Sequence, residues 1–136
     1  MSHVVQITRR ATFSAAHILY RPEWDEARND AVFGACVRDH GHNYVVEVTV
    51  AGPVDPETGM VANLKDVDAV IQRELIESVD HRHLNRDVDF LRGVIPTAEN
   101  VALAAWRRLA PHLAPARLVR LRLQESENNA AEVVEA

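Results

Sequence analysis

The 136-residue chain is 47% apolar and 26% charged with a net charge of −5, the profile of a folded soluble domain and not of a disordered chain. The acidic balance argues against a general nucleic-acid role, because phosphate backbones reward basic surfaces, and no apolar run approaches the ~20 residues of a membrane span. A single cysteine excludes an internal disulfide, and MSHVVQITRRATF lacks a signal-peptide pattern, so a reducing cytoplasm is expected.

At this length roughly two-thirds of the unfolded surface can be buried, and residues 1–136 read as one domain with no repeat or dividing linker. VVQITRRATFSAAH (4–17) is rich in β-branched residues and predicts a strand ending near His17. The polar, punctuated ILYRPEWDEARNDAVFGA (18–35) predicts a long loop over the active side. HNYVVEVTVAG (42–52) alternates, with Val46, Val48 and Val50 on one face, and GPVDPETGM (52–60) is a turn. Leu64, Val67, Val70, Ile71 and Leu75 form a helical stripe behind an Asn63 cap. Thr97 caps a second helix with Val101, Ala105 and Leu109 on one side, stopped by Pro111 and Pro115. RLVRLRLQE (117–125) sets Val119, Leu121 and Leu123 against Arg120, Arg122 and Gln124, and a short strand AAEVVE follows the turn SENN. The arginines of WRR and RLVRLRL face solvent or form a local cationic pocket for an anion. Strands, two helices, then strands predict an α+β domain with the helices on one face of an antiparallel sheet.

Within CVRDHGHNY (36–44), His40 and His42 fall on one face of an extended segment, and Gly41 between them relieves crowding. Two imidazoles at i and i+2 can grip one divalent ion; zinc wants a third protein ligand, for which His17 is the candidate if the two strands pair. Three histidines leave a fourth position open, as in a catalytic site. Spacing leaves open whether Cys36 is that fourth ligand or a free thiol acting as base or nucleophile. In DHRHLN (80–85), Asp80 is placed to orient His81 through the turn, or else the segment is plain helix capping; His83 is an equal candidate for the metal, while His3 and His112 read as surface residues. Glu99 and Glu125 read as solvated carboxylates, or as groups able to bind an amidine edge by paired hydrogen bonds.

FSAAH, CVRDHGHNY, GPVDPETGMVANLKDV, DHRHLN, PTAENVALAAW and QESENNAAEV, in that order from about residue 13 to about residue 134, together resemble the superfamily of 6-pyruvoyltetrahydropterin and 6-carboxytetrahydropterin synthases. The resemblance implies the tunnelling fold, in which sheets join into a trimeric barrel and two trimers stack into a homohexamer. It implies a Zn2+ cofactor on His17, His40 and His42. It makes Cys36 the catalytic thiol, activated by Asp80 and His81 from a neighbouring subunit, with Glu125 anchoring the pterin and Thr97 to Glu99 contributing to its pocket. The implied substrate is 7,8-dihydroneopterin triphosphate. The Cys-x-x-x-His spacing from Cys36 to His40 resembles the branch that makes 6-carboxytetrahydropterin for queuosine and other deazapurines, releasing acetaldehyde and triphosphate. The alternative is the 6-pyruvoyl branch of biopterin synthesis. A third branch with a glutamate near the cysteine position fits less well, and so does a zinc- or pterin-binding homologue without turnover.

Overall fold

The computed structural model describes residues 3–136. Two 13-residue strands, β1 (Val5–His17) and β2 (His40–Gly52), pair antiparallel along their whole length, from Val5 opposite Gly52 to His17 opposite His40. β4 (Arg117–Ser126) pairs with β2 and β5 (Asn129–Val134) with β4, both antiparallel, while the two-residue β3 (Arg82–His83) lies parallel to β1. The sheet order is β3-β1-β2-β4-β5. This mostly antiparallel sheet with its helices is the tunnelling fold.

Side-chain alternation gives the sheet two different faces. Phe13 and Ala15 of β1, Tyr44, Val46, Val48 and Val50 of β2, and Leu121 and Leu123 of β4 are buried. They pack with residues of α2 (Leu64–Ile71), α3 (Glu77–Val79) and α4 (Ala98–Leu109) in one core. The N-caps stand where the sequence places them, with Asn63 Oδ1 accepting from Lys65 N and Thr97 Oγ1 from Asn100 N. A π-helical turn (Gln72–Ile76) joins α2 to α3. The buried residues Val67, Ile71, Leu75 and Val79 are four apart, a step that overshoots a 3.6-residue turn, and the wider π turn absorbs the drift. On the opposite face polar side chains pair across strands: Thr8 with Thr49 at 2.7 Å, Arg122 with Glu47 at 3.4 Å, and Arg120 with Glu132. Arg108 likewise meets Glu74 at 3.5 Å. Each of these three arginines thus meets a carboxylate of its own chain.

The segment expected to be a long loop differs. It contains a helix, α1 (Glu26–Phe33), capped by Asp25, and a 3-10 turn (Gly34–Val37) that carries Cys36. α1 has no apolar stripe for periodicity to detect. What orders it is the buried Asn29, whose amide accepts from Arg21 N and donates to the carbonyls of Arg21 and Asp25. β3 also went unread, because two residues carry no alternation.

Candidate metal centre and active site

The β1–β2 register decides where the histidines go. His17 opposes His40, Ala15 opposes His42 and Phe13 opposes Tyr44, so all six share the buried face. One step beyond Ala15 in β1, and one and two steps beyond Tyr44 in β2, that face ends in imidazoles. The ligand nitrogens of His17, His40 and His42 all lie within 4.8 Å of one another. Gly41 lets the strands approach this closely, since a Cβ there would stand 3.1 Å from the Ala15 carbonyl oxygen.

Hydrogen bonds to the backbone prepare these rings for a cation. His17 Nδ1 donates to the Pro96 carbonyl at 2.8 Å and His40 Nδ1 to the Arg38 carbonyl at 2.7 Å. Each bond leaves Nε2 as a bare lone pair, the usual arrangement around a metal-bound histidine. His17 Nε2 is fully buried and has no hydrogen-bond partner, a costly state that a metal ion would relieve. Burial pulls the His17 pKa down to about 4, against the pull of the Pro96 carbonyl, so the ring is neutral at physiological pH. Burial lowers that of His42 too, opposed by Glu125. Neutral imidazole is the metal-binding form. The three residues fit a divalent ion.

Glu125 extends the β2–β4 register by one place beyond Gln124 opposite Val45, which sets it beside Tyr44 on the same face. Its Oε1 stands 3.4 Å from His17 Nε2 and 3.5 Å from His42 Nε2. It also lines a cleft of about 510 Å3 with Ala98, Glu99, Asn128 and Asn129. Thr97 is not part of that lining and spends its hydroxyl on the α4 cap. Neither Cys36 nor Glu125 belongs to the histidine cluster. The Cys36 turn is tied next to it, because Leu19 N, two residues past His17, donates to the Cys36 carbonyl at 2.8 Å.

Asp80 and His81 stand apart. His81 adopts a left-handed backbone (φ 58°), which brings its Nδ1 back to Asp80 Oδ1 at 3.0 Å. The sequence expectation that Asp80 acts through the turn is thus replaced by direct contact, made possible by that unusual φ. Both residues are stapled to β1, where Ser14 N donates to Asp80 Oδ1 at 2.9 Å and His81 N to the Ser14 carbonyl at 2.6 Å. His81 is 83% exposed, with Nε2 free. Among the described residues no hydrogen bond or ion pair joins it to Cys36 or to the three histidines. His83 is not a metal ligand here, since it meets Asp39 instead. Sequence reasoning missed the supporting carbonyls of Pro96 and Arg38, which no side-chain pattern reveals. It also missed Tyr44, which the alternation after His42 could have placed.

The family model described as 6-pyruvoyl tetrahydropterin synthase matches residues 6–136. The chain belongs to this family. It is 36% identical over 129 residues to the 6-pyruvoyl tetrahydrobiopterin synthase of Dictyostelium discoideum, covering 95% of each chain. The solved 6-pyruvoyl tetrahydropterin synthase of Caenorhabditis elegans superposes with a TM-score of 0.92 at 34% identity, over 98% of this chain and 97% of that one. A putative 6-carboxy-5,6,7,8-tetrahydropterin synthase of Archaeoglobus fulgidus is 36% identical over 98 residues, covering 72% of this chain and 77% of its own. Family membership makes the chain a pterin synthase of one of these two types. No described helix is long and apolar enough to cross a membrane.

Proposed function

We propose that this protein is a zinc-dependent 6-pyruvoyl tetrahydropterin synthase acting on 7,8-dihydroneopterin triphosphate. The observation that carries the choice of product is the naming of relatives that span the chain: six at 36–40% identity bear the name 6-pyruvoyl tetrahydrobiopterin synthase, that of Caenorhabditis elegans as a putative one. This reverses the preference drawn from the Cys36-x-x-x-His40 spacing. The 6-carboxy reading stays as the second one, favoured by that spacing and by the shorter archaeal match. Mass spectrometry of the products from metal-loaded protein separates the two: a 6-pyruvoyl product supports the proposal, and a 6-carboxy product with acetaldehyde overturns it.

When bound, zinc supplies Lewis-acid polarisation of the substrate's side-chain hydroxyls. His17, His40 and His42 would hold it, the first two through the Nε2 atoms that their backbone bonds leave free. Cys36 removes and returns a carbon-bound proton of the side chain, from a turn tied beside the cluster. Asp80 accepts from His81 Nδ1, which leaves His81 Nε2 to carry protons while triphosphate departs. Glu125 takes the amino-pyrimidine edge of the pterin by paired hydrogen bonds, and Glu99 lines the same cleft. No hydrogen bond or ion pair joins His81 to Cys36 of its own chain among the described residues, and on this reading the pair serves the thiol of a neighbouring subunit. The sheet has two open edges for such contact, β5 on one side and β3 on the other, and we place the chain in trimers that pair into a homohexamer. A reducing cytoplasm suits its single free thiol.

A further inference from the structure

The segment following the Asp80–His81 pair grips both strands that carry the metal ligands. On the β1 side, Leu84 N donates to the Ala16 carbonyl at 2.8 Å. The Asn85 amide completes the grip, accepting from Ile18 N at 2.9 Å and donating to the Ile18 carbonyl at 3.0 Å. His17 is thus held from both flanks. On the β2 side, His83 Nε2 meets Asp39 Oδ1 at 2.9 Å, and Arg86 Nη2 reaches the same oxygen at 3.4 Å. Asp39 immediately precedes His40 and lies three residues after Cys36.

The two ring nitrogens of His83 are both engaged. Asn85 N donates to Nδ1 at 3.3 Å, so Nε2 carries the hydrogen and donates it to Asp39. With no lone pair to spare, and with its side chain 12% exposed, His83 is suited neither to bind metal nor to move protons. Its partner Asp39 is 61% exposed, and a contact of that kind has little value for global stability. What it does is local: it fixes the short connection whose ends are the thiol and a metal ligand.

We propose that His83 is a positioning residue that acts through Asp39 to hold the Cys36–His40 connection against the metal centre. For its effect on turnover this rests on the role of Cys36 proposed above. A supporting shell of this kind matters because small displacements of a reacting group cost large factors in rate.

The test uses full-length, metal-loaded protein and four variants: H83A, H83Q, D39A and H83A/D39A. Turnover of dihydroneopterin triphosphate is measured beside two readouts independent of it, iodoacetamide alkylation of Cys36 and metal release to a chelator. H83A is expected to lower kcat about tenfold with KM changed by less than about threefold, and to speed alkylation and release several-fold. H83Q, whose amide N–H can reach Asp39, should regain most of all three. The double variant should be no worse than either single, as for two residues acting as one contact. Alkylation and release within about twofold of wild type in H83A, or additive effects in the double variant, would overturn the clamp. A drop in turnover that H83Q does not rescue, with alkylation unchanged, also overturns it, because His83 would then act on substrate directly. If wild-type protein yields no pterin product while H83A still alters alkylation and release and H83Q restores them, the clamp stands and the proposed activity falls.

Discussion

The two groups of titratable side chains nearest the chemistry are built in opposite ways. His17, His40 and His42 close a buried face, and backbone carbonyls hold the Nδ1 atoms of His17 and His40. Asp80 and His81 hang from the sheet edge in solvent, tied to Ser14, with a strained φ at His81. The first arrangement suits a cation and is complete within one chain. The second leaves His81 Nε2 open to solvent, which suits proton transfer. One is made by strand register, the other by a turn at the sheet edge.

The sharpest way to break the first group is H40A. Removing one of three ligands should take metal content, read by elemental analysis, to near zero and abolish activity. If the variant keeps a full complement of metal, the three-histidine centre is wrong. C36A should behave differently, retaining metal while turnover falls by about 10^2–10^4. Loss of metal in C36A would make the thiol a ligand. The second group is tested by mixing subunits. C36A and H81A homo-oligomers are each expected to be inactive, but a random one-to-one reassembly should regain activity at about one site in four if His81 serves a neighbour's thiol. No recovery from mixed oligomers verified by native mass spectrometry would place both residues in one chain's site.

Most of the first group was legible in the sequence, because period-two alternation is a local property. His40 and His42 had to share a face, with the glycine between them relieving crowding. Only the partnership with His17 needed pairing, and β1 ended at the right residue to supply it. The caps at Asn63 and Thr97 were legible for the same local reason. By contrast, α1 is ordered by the hydrogen bonds of a single buried asparagine and leaves no stripe. The Asp39–His83 contact spans 44 residues, and nothing in either segment announces the other. The direct Asp80–His81 contact depends on one backbone angle that propensity does not reveal.

A smaller effect should follow from G41A, which probes how tightly register holds the cluster. The added Cβ would face the Ala15 carbonyl at 3.1 Å, and backbone must give way by a few tenths of an ångström. Overpacking of that kind costs about 1–3 kcal/mol, so a lowered midpoint in urea is expected together with weaker metal retention. Unchanged metal affinity would mean that the histidines tolerate a wider strand separation than their hydrogen bonds imply.

The smallest expected effect concerns the exposed pair and appears at acid pH. The Ser14 N–H, with help from His81, holds the Asp80 carboxyl below its ordinary value of 3.8. A carboxylate depressed in the folded state binds fewer protons there than in the unfolded chain. Its contribution to stability is therefore fully present above about pH 4 and is lost as pH falls through the depressed folded value. D80N can still accept the Ser14 bond but has no proton to take up, so its stability should fall less steeply with acid than that of wild type. Chemical denaturation from pH 5 to pH 2.5 measures the difference. Because Asp80 is 38% exposed, solvent screens the interaction and the slopes should diverge only slightly. Parallel slopes would mean that the Ser14 bond does not discriminate between the charged and neutral carboxyl, and that the pair is held at the edge by backbone geometry alone.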